Sequence, residues 1–229
     1  LVVARRQALG SVLTVHDLIF RHLPEHHKRL NRWYLNATLP LYCRRATHLI
    51  AVSEATRQDV IAAYGLPPEK ITVIHEAADP QFRPQSPERI AAARARYQLP
   101  ETYLLYVGTI EPRKNLTRLL HAWEPLYRAG EAPLLVIVGK RGWLVEDFYT
   151  ALEASPAREG VRFTGYVADE DLPALYAGAR AFTFLSLYEG FGLPPLEAMA
   201  CGAPVLCSDT SALPEVVGDA ALTVSPTSV

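Results

Sequence analysis

At 229 residues, 49% hydrophobic and 21% charged, the chain holds enough material to bury a sizeable core, as one large domain or two small ones. A formal net charge of −1 argues against a nucleic-acid binder, and no apolar run reaches the roughly 18 residues needed to span a bilayer. Three cysteines with no CxxC spacing favour reduced thiols in a cytoplasm and no metal site; the first residues also lack the charged-then-apolar pattern of a secretory signal.

Short apolar runs alternate with longer amphipathic stretches along the whole chain, the pattern of parallel α/β sheets. The first run, 12–15, ends at His16 and Asp17. His22, His26 and His27 follow as a loop and helix start, with no acidic residue at a helical spacing that would make them a metal cluster. A second strand is expected at 48–52, with Ser53 as N-cap of a helix over 54–63, and a third at 71–74 ending near His75. Residues 79–87 hold Pro80, Pro84 and Pro87, which favours a stiff extended linker. The domains are therefore placed at 1–78 and 88–229, with 79–87 between them. Further strands are expected at 103–107, 134–138, 161–163, 181–185 and 204–207, giving the second domain five. Cys201 reads as a small packing residue.

Glu189 and Glu197 flank the segment Gly190-Phe191-Gly192-Leu193-Pro194-Pro195-Leu196. The apolar run before it reads as a buried parallel strand, and the two prolines fit only the first turn of a following helix, so Glu189 lies on the loop and Glu197 on the helix. An ionised carboxylate accepts two hydroxyl hydrogens, so each glutamate can hold a vicinal diol. The amides of Gly190 to Gly192 can face an anion near a helix N-terminus. A pair of solvated glutamates is the bland alternative for these residues taken alone.

The Glu-x7-Glu segment stands with Gly108-Thr109-Ile110-Glu111-Pro112-Arg113-Lys114-Asn115 upstream and Ala200-Cys201-Gly202-Ala203-Pro204-Val205 downstream. Together with Val15-His16-Asp17-Leu18 and Ala51-Val52-Ser53-Glu54, it resembles the family 4 retaining glycosyltransferases of the GT-B type. The resemblance covers nearly the whole chain, in the family's order. It implies an α/β GT-B fold of two Rossmann-like domains with parallel sheets facing across a cleft. The first domain, with three strands, is expected to be the second half of an acceptor-side domain. The second is expected to be the nucleotide-sugar donor domain, ending early, so the sequence reads as a fragment.

The resemblance implies a retaining hexosyltransferase that moves a hexose from a nucleotide diphosphate sugar to a glycan or lipid-linked hydroxyl. The context of His16 is similar to bacterial mannosyltransferases and favours GDP-mannose. Glu189 is expected to hold the sugar hydroxyls, Glu197 the ribose, Arg113 and Lys114 the diphosphate, and His16 the sugar from the opposite domain. Gly108, Gly190, Phe191, Gly192 and Leu193 are expected to line the donor, and Tyr166 and Val167 to offer main-chain groups to the nucleobase. A guanidinium and an ammonium suit a leaving diphosphate that gains charge as the glycosidic bond breaks. Cations at a helix start also oppose its macrodipole, a local penalty that points to a ligand. Asp169-Glu170-Asp171 spells an Asp-x-Asp metal signature but fits better as the N-cap and acidic first turn of a helix over 172–176. No metal or cofactor and no nucleic-acid partner is expected. The expected location is cytoplasmic, with peripheral membrane association through sequence outside this chain. A nucleotide-sugar-binding module without turnover and a GT-B-type epimerase are the alternatives.

Overall fold

Parallel β-sheet organises both parts of the chain, as the alternation of short apolar runs with amphipathic stretches requires. A computed structural model describes residues 10–26 and 28–228. His27 and residues 1–9 of the expected first domain lie outside the described residues. The chain divides into two units: one runs through Glu76 and includes Tyr188–Gly192 and Ser211–Val216, and the other takes Ala77–Leu187, Leu193–Thr210 and residues 217–228.

The first unit carries β1 (Val12–Val15), α1 (Ile19–His22), α2 (Arg29–Arg45), β2 (His48–Ala51), α3 (Glu54–Tyr64) and β3 (Ile71–Val73). The strands form one parallel sheet in the order β1-β2-β3. Leu13 and Val15, Leu49 and Ala51, and Ile71 turn to a core completed by Leu18, Phe20, Cys43, Val60 and Tyr64. This period-2 burial is what a half-buried strand demands. Helix α3 starts where Ser53, in extended backbone, accepts a hydrogen bond from the Thr56 amide, and stops at Gly65 in the left-handed region.

In the second unit, Ser86 caps α4 (Pro87–Arg96) and Pro87 occupies its first turn. The unit continues with β4 (Tyr103–Val107), α5 (Leu116–Arg128), β5 (Leu134–Val138), α6 (Glu146–Ala154), β6 (Val161–Gly165), α7 (Leu172–Ala177), β7 (Ala181–Phe184), α8 (Leu193–Ala200) and β8 (Val205–Ser208). Next come α9 (Leu213–Val217), most of which groups with the first unit, and β9 (Leu222–Val224). The sheet order is β6-β5-β4-β7-β8-β9, all parallel, with Tyr103, Leu105, Tyr106, Leu135, Ile137, Phe182 and Phe184 fully buried in it. Strands buried on both faces read as continuous apolar runs, which is why β4, β5 and β7 are so legible.

The structure departs from the sequence expectations at three places. The second sheet has six strands, because Leu222–Val224 adds an exposed edge strand beside β8. The proline-rich stretch is not extended throughout: the Asp79 carboxylate and carbonyl take the amides of Gln81 and Phe82 in a turn, and Pro87 already belongs to a helix. Asp171 stands at the N-cap position of α7 but its side chain does not cap; it takes hydrogen bonds from Arg96 at 2.6 Å and the Tyr97 hydroxyl at 2.9 Å. A guanidinium within reach outbids a helix amide for a carboxylate.

Candidate functional site

In parallel sheets, ligand-bearing loops gather beyond the carboxyl ends of the strands. His16 follows β1 directly, and Gly108, Gly139 and Gly165 close β4, β5 and β6. The loop after β7 leads to Glu189.

Within the first unit, the Glu189 loop meets the turn after β1. A Cβ on Gly190 would stand 1.9 Å from the His16 carbonyl oxygen, so only glycine permits this approach. The Gly190 carbonyl accepts from Ser53 Oγ at 2.6 Å and Thr56 Oγ1 at 3.1 Å. Thr56 Oγ1 also lies 3.2 Å from the His16 carbonyl. Glu189 is buried at 8% exposure, and its amide donates to Ser211 Oγ at 2.9 Å. Gly192 sits at φ +121°, where a Cβ would meet the Leu213 side chain at 2.6 Å. Phe191 is buried beside the ring of His75, 5.9 Å between centroids. His16 itself is exposed, and its Nδ1 pairs with Glu76 Oε1 at 3.0 Å.

Three histidines, His16, His22 and His75, have tertiary acidic partners that no helical spacing could reveal. His22 Nε2 lies 3.0 Å from Asp59 Oδ1 and its ring stacks on Tyr188, whose hydroxyl donates to the same Asp59. Burial, followed by that hydrogen bond, pushes the Tyr188 hydroxyl far above the ordinary phenol range. His75 Nε2 lies 2.6 Å from Glu215 Oε1. No group of three or more His, Cys, Asp or Glu able to hold a metal occurs among the described residues.

Within the second unit, Arg113 and Lys114 lie on a short 3-10 turn, Pro112–Lys114, between β4 and α5. Lys114 is 7% exposed, with its ammonium 4.6 Å from the centre of the Phe184 ring. Arg113 pairs with the buried Glu111 at 2.6 Å, and its carbonyl accepts from the Leu187 amide at 2.8 Å. The expected penalty for two cations at a helix start is thus offset in part by Glu111, a carboxylate the motif itself carries. The amides of Gly108 and Gly139 donate to Val138 and Gly165 carbonyls, and a Cβ on Gly139 would come within 2.0 Å of the Gly108 oxygen. Both amides are thus taken by neighbouring carbonyls, and only glycine lets these two turns approach so closely.

Leu193 begins α8, and Glu197 lies one turn further on, accepting from the Tyr176 hydroxyl at 2.9 Å. Burial raises the Glu197 carboxyl above its ordinary range, with the Tyr176 hydrogen bond acting in the opposite direction. Tyr166 is exposed and Val167 buried, so of the latter only main-chain groups can serve a ligand. Two residues escaped the motif reading: Ser186 and Ser208, at the ends of β7 and β8, are fully buried with hydroxyl oxygens that have no hydrogen-bond partner in the protein. Their position at or just past the strand ends was the available signal.

Units of parallel α/β sheet with glycine turns at their strand ends are the architecture of the GT-B class. The comparisons with known proteins agree. A family model described as "Glycosyl transferases group 1" matches residues 90–229, and one described as "Glycosyltransferase Family 4" matches residues 1–82. The chain belongs to the group 1 glycosyl transferases.

O-antigen chain mannosyltransferase B of Escherichia coli is 40% identical over 222 residues, covering 96% of this chain and 58% of its own length. Serotype-specific mannosyltransferase WbdA of the same organism is 35% identical over 218 residues, or 91% of this chain and 26% of its own length. This chain therefore spans only 58% and 26% of these two relatives. Anabaena HepE, solved with UDP and glucose, superposes with a TM-score of 0.78 at 26% identity, covering 95% of this chain and 58% of its own. WaaG, a glycosyltransferase involved in lipopolysaccharide biosynthesis, gives 0.76 at 20% identity, with 96% and 62% covered.

Proposed function

We propose that this chain acts in the transfer of a hexose, with mannose from GDP-mannose favoured, from a nucleotide diphosphate sugar to a hydroxyl of a glycan or lipid-linked acceptor, with retention of configuration. The observation that carries the reading is Lys114, an ammonium held at 7% exposure beside Arg113 just beyond the carboxyl end of β4. Two cations there can stabilise the charge that develops on a leaving diphosphate, in a site where water screens little. Arg113 and Lys114 take the diphosphate, Glu197 the ribose, Glu189 the sugar hydroxyls, and His16 the sugar near the reacting carbon. Gly108, Gly190, Phe191, Gly192 and Leu193 line the donor, and the main chain at Tyr166 and Val167 reads the base.

The mannosyltransferase relatives support the sugar, and the UDP and glucose held by HepE support the donor class. No metal enters this reading, since the two cations supply the charge a divalent ion would bring. Residues 1–78 serve the acceptor side and 88–229 the donor side. Among the described residues no helix is long and apolar enough to cross a membrane. The reading places the protein in the cytoplasm, at the periphery of the membrane.

The test is a thermal-shift panel of GDP-mannose, UDP-glucose and the free diphosphates, followed by assay of hexose transfer. A ligand at about a hundred times its dissociation constant adds roughly 2.7 kcal/mol of apparent stability, which such a panel resolves. Stabilisation by no nucleotide sugar overturns the proposal; binding with no transfer or hydrolysis points to the binding module instead.

A further inference from the structure

Glu215 makes more contacts to the first turn of a helix than any motif assigned to it explains. Its two carboxylate oxygens lie 2.8 and 2.9 Å from the Glu54 amide, one also accepts from the Ala55 amide at 3.3 Å, and the other meets His75 Nε2 at 2.6 Å. The first amides of a helix have no partner within it, and the Ser53 hydroxyl serves only that of Thr56. Glu215 takes the two before it, where the macrodipole favours an anion.

The same turn of α3 holds the Glu189 loop. Ser53 Oγ, while accepting from Thr56, donates to the Gly190 carbonyl, and Thr56 Oγ1 donates to that oxygen as well. The segment that Glu215 anchors provides the remaining ties: Ser211 Oγ takes the Glu189 amide at 2.9 Å, and the Ala212 amide reaches the Glu189 carbonyl at 3.4 Å. Ser211 sits at φ +53°, a conformation a serine keeps only when its surroundings impose it. Its neighbour Glu215, four residues on, is the charged anchor of that segment.

We infer that Glu215 is a positioning residue: through the register of Ser211–Val216 it fixes the backbone of Glu189, and so the direction of a carboxylate buried too deeply to reorient freely. The inference rests on the reading of Glu189 as the ligand of the donor sugar, and two readouts keep the two apart.

The first readout is amide hydrogen exchange, which involves no ligand. Glu215→Ala speeds exchange across 188–191 and 211–213 at least tenfold, and Glu215→Gln, which keeps one acceptor oxygen in place, recovers most of the protection. The second is calorimetric titration with GDP-mannose and with GDP. Glu215→Ala weakens GDP-mannose about tenfold and leaves GDP unchanged, and it adds nothing further in a Glu189→Ala background, because both changes remove the same interaction. A residue that merely stabilises the fold lowers the melting temperature, affects both ligands alike and acts additively with Glu189→Ala. Unaltered exchange at 188–191 in Glu215→Ala, or additive losses in the double variant, overturns the inference. Altered exchange with no effect of Glu189→Ala on GDP-mannose instead overturns the assignment of Glu189 and leaves the positioning intact.

Discussion

The α-carbon of Gly190 lies so close to His16 that any side chain there would place its Cβ 1.9 Å from the His16 carbonyl oxygen and 2.8 Å from the Asp17 Cβ. Backbone cannot give way as the tip of a side chain can. Gly190→Ala therefore displaces the Glu189 loop from the turn after β1, costing about 1–3 kcal/mol and more if Ser53 and Thr56 lose their shared acceptor. Urea denaturation of the variant reports the loss as a lower midpoint at unchanged slope.

The proposed function divides the donor between the two carboxylates. Glu189→Ala is expected to weaken GDP-mannose while sparing GDP, because Glu189 is assigned to the sugar; Glu197→Ala is expected to weaken both, because Glu197 is assigned to the ribose. Each loses a charge-assisted hydrogen bond of about 1.5–3 kcal/mol, roughly ten- to more than a hundredfold in affinity. Identical patterns for the two variants across both ligands would show the division to be wrong.

Glu197 gives a second, opposite signature in stability. Burial raises its folded carboxyl above the ordinary value of 4.5, so the folded chain holds this proton more tightly than the unfolded one. That contribution is complete below pH 4.5 and is lost as pH rises through the raised folded value. Glu197→Gln removes the ionisation yet keeps an acceptor for Tyr176. Thermal melts of the ligand-free variant show a higher melting temperature than the parent at pH 7 and converge with it under acid conditions, although the variant binds GDP less tightly.

Arg113 and Glu111 form an ion pair whose carboxylate is almost fully buried. Arg113→Ala leaves that charge without its guanidinium and destabilises by about 3–5 kcal/mol. Replacing Glu111 by Gln in the same chain recovers most of this loss without recovering diphosphate affinity. Chemical denaturation and GDP titration of the single and double variants separate the structural from the ligand-binding part of Arg113.

What the sequence made legible was local. The strands over Tyr103–Val107 and Leu134–Val138 are unbroken apolar runs, and Ser53 announces its helix by residue type and place. The loop position of Glu189 and the helical position of Glu197 follow from the two prolines between them. The strand Leu222–Val224 was hidden because it is short, exposed and at a sheet edge, so burial leaves no alternation to read. Asp171 has the spacing of a cap, yet Arg96, 75 positions earlier, wins its carboxylate. Glu215 acts on an amide 161 positions away. Such pairs leave no periodicity along the chain; they exist only once the sheets have formed.

The central claim is that two protein cations, Arg113 and Lys114, hold a nucleotide-sugar diphosphate. Calorimetric titration with GDP-mannose in the presence of EDTA tests it most directly, comparing the parent chain with the Arg113→Ala, Lys114→Ala variant, both confirmed as folded by circular dichroism. The account predicts that binding by the parent survives the chelator, gains little from added magnesium or manganese, and is lost in the variant. Binding by the parent that EDTA abolishes, and that Asp169→Asn with Asp171→Asn also removes, would contradict it and return the diphosphate to a metal.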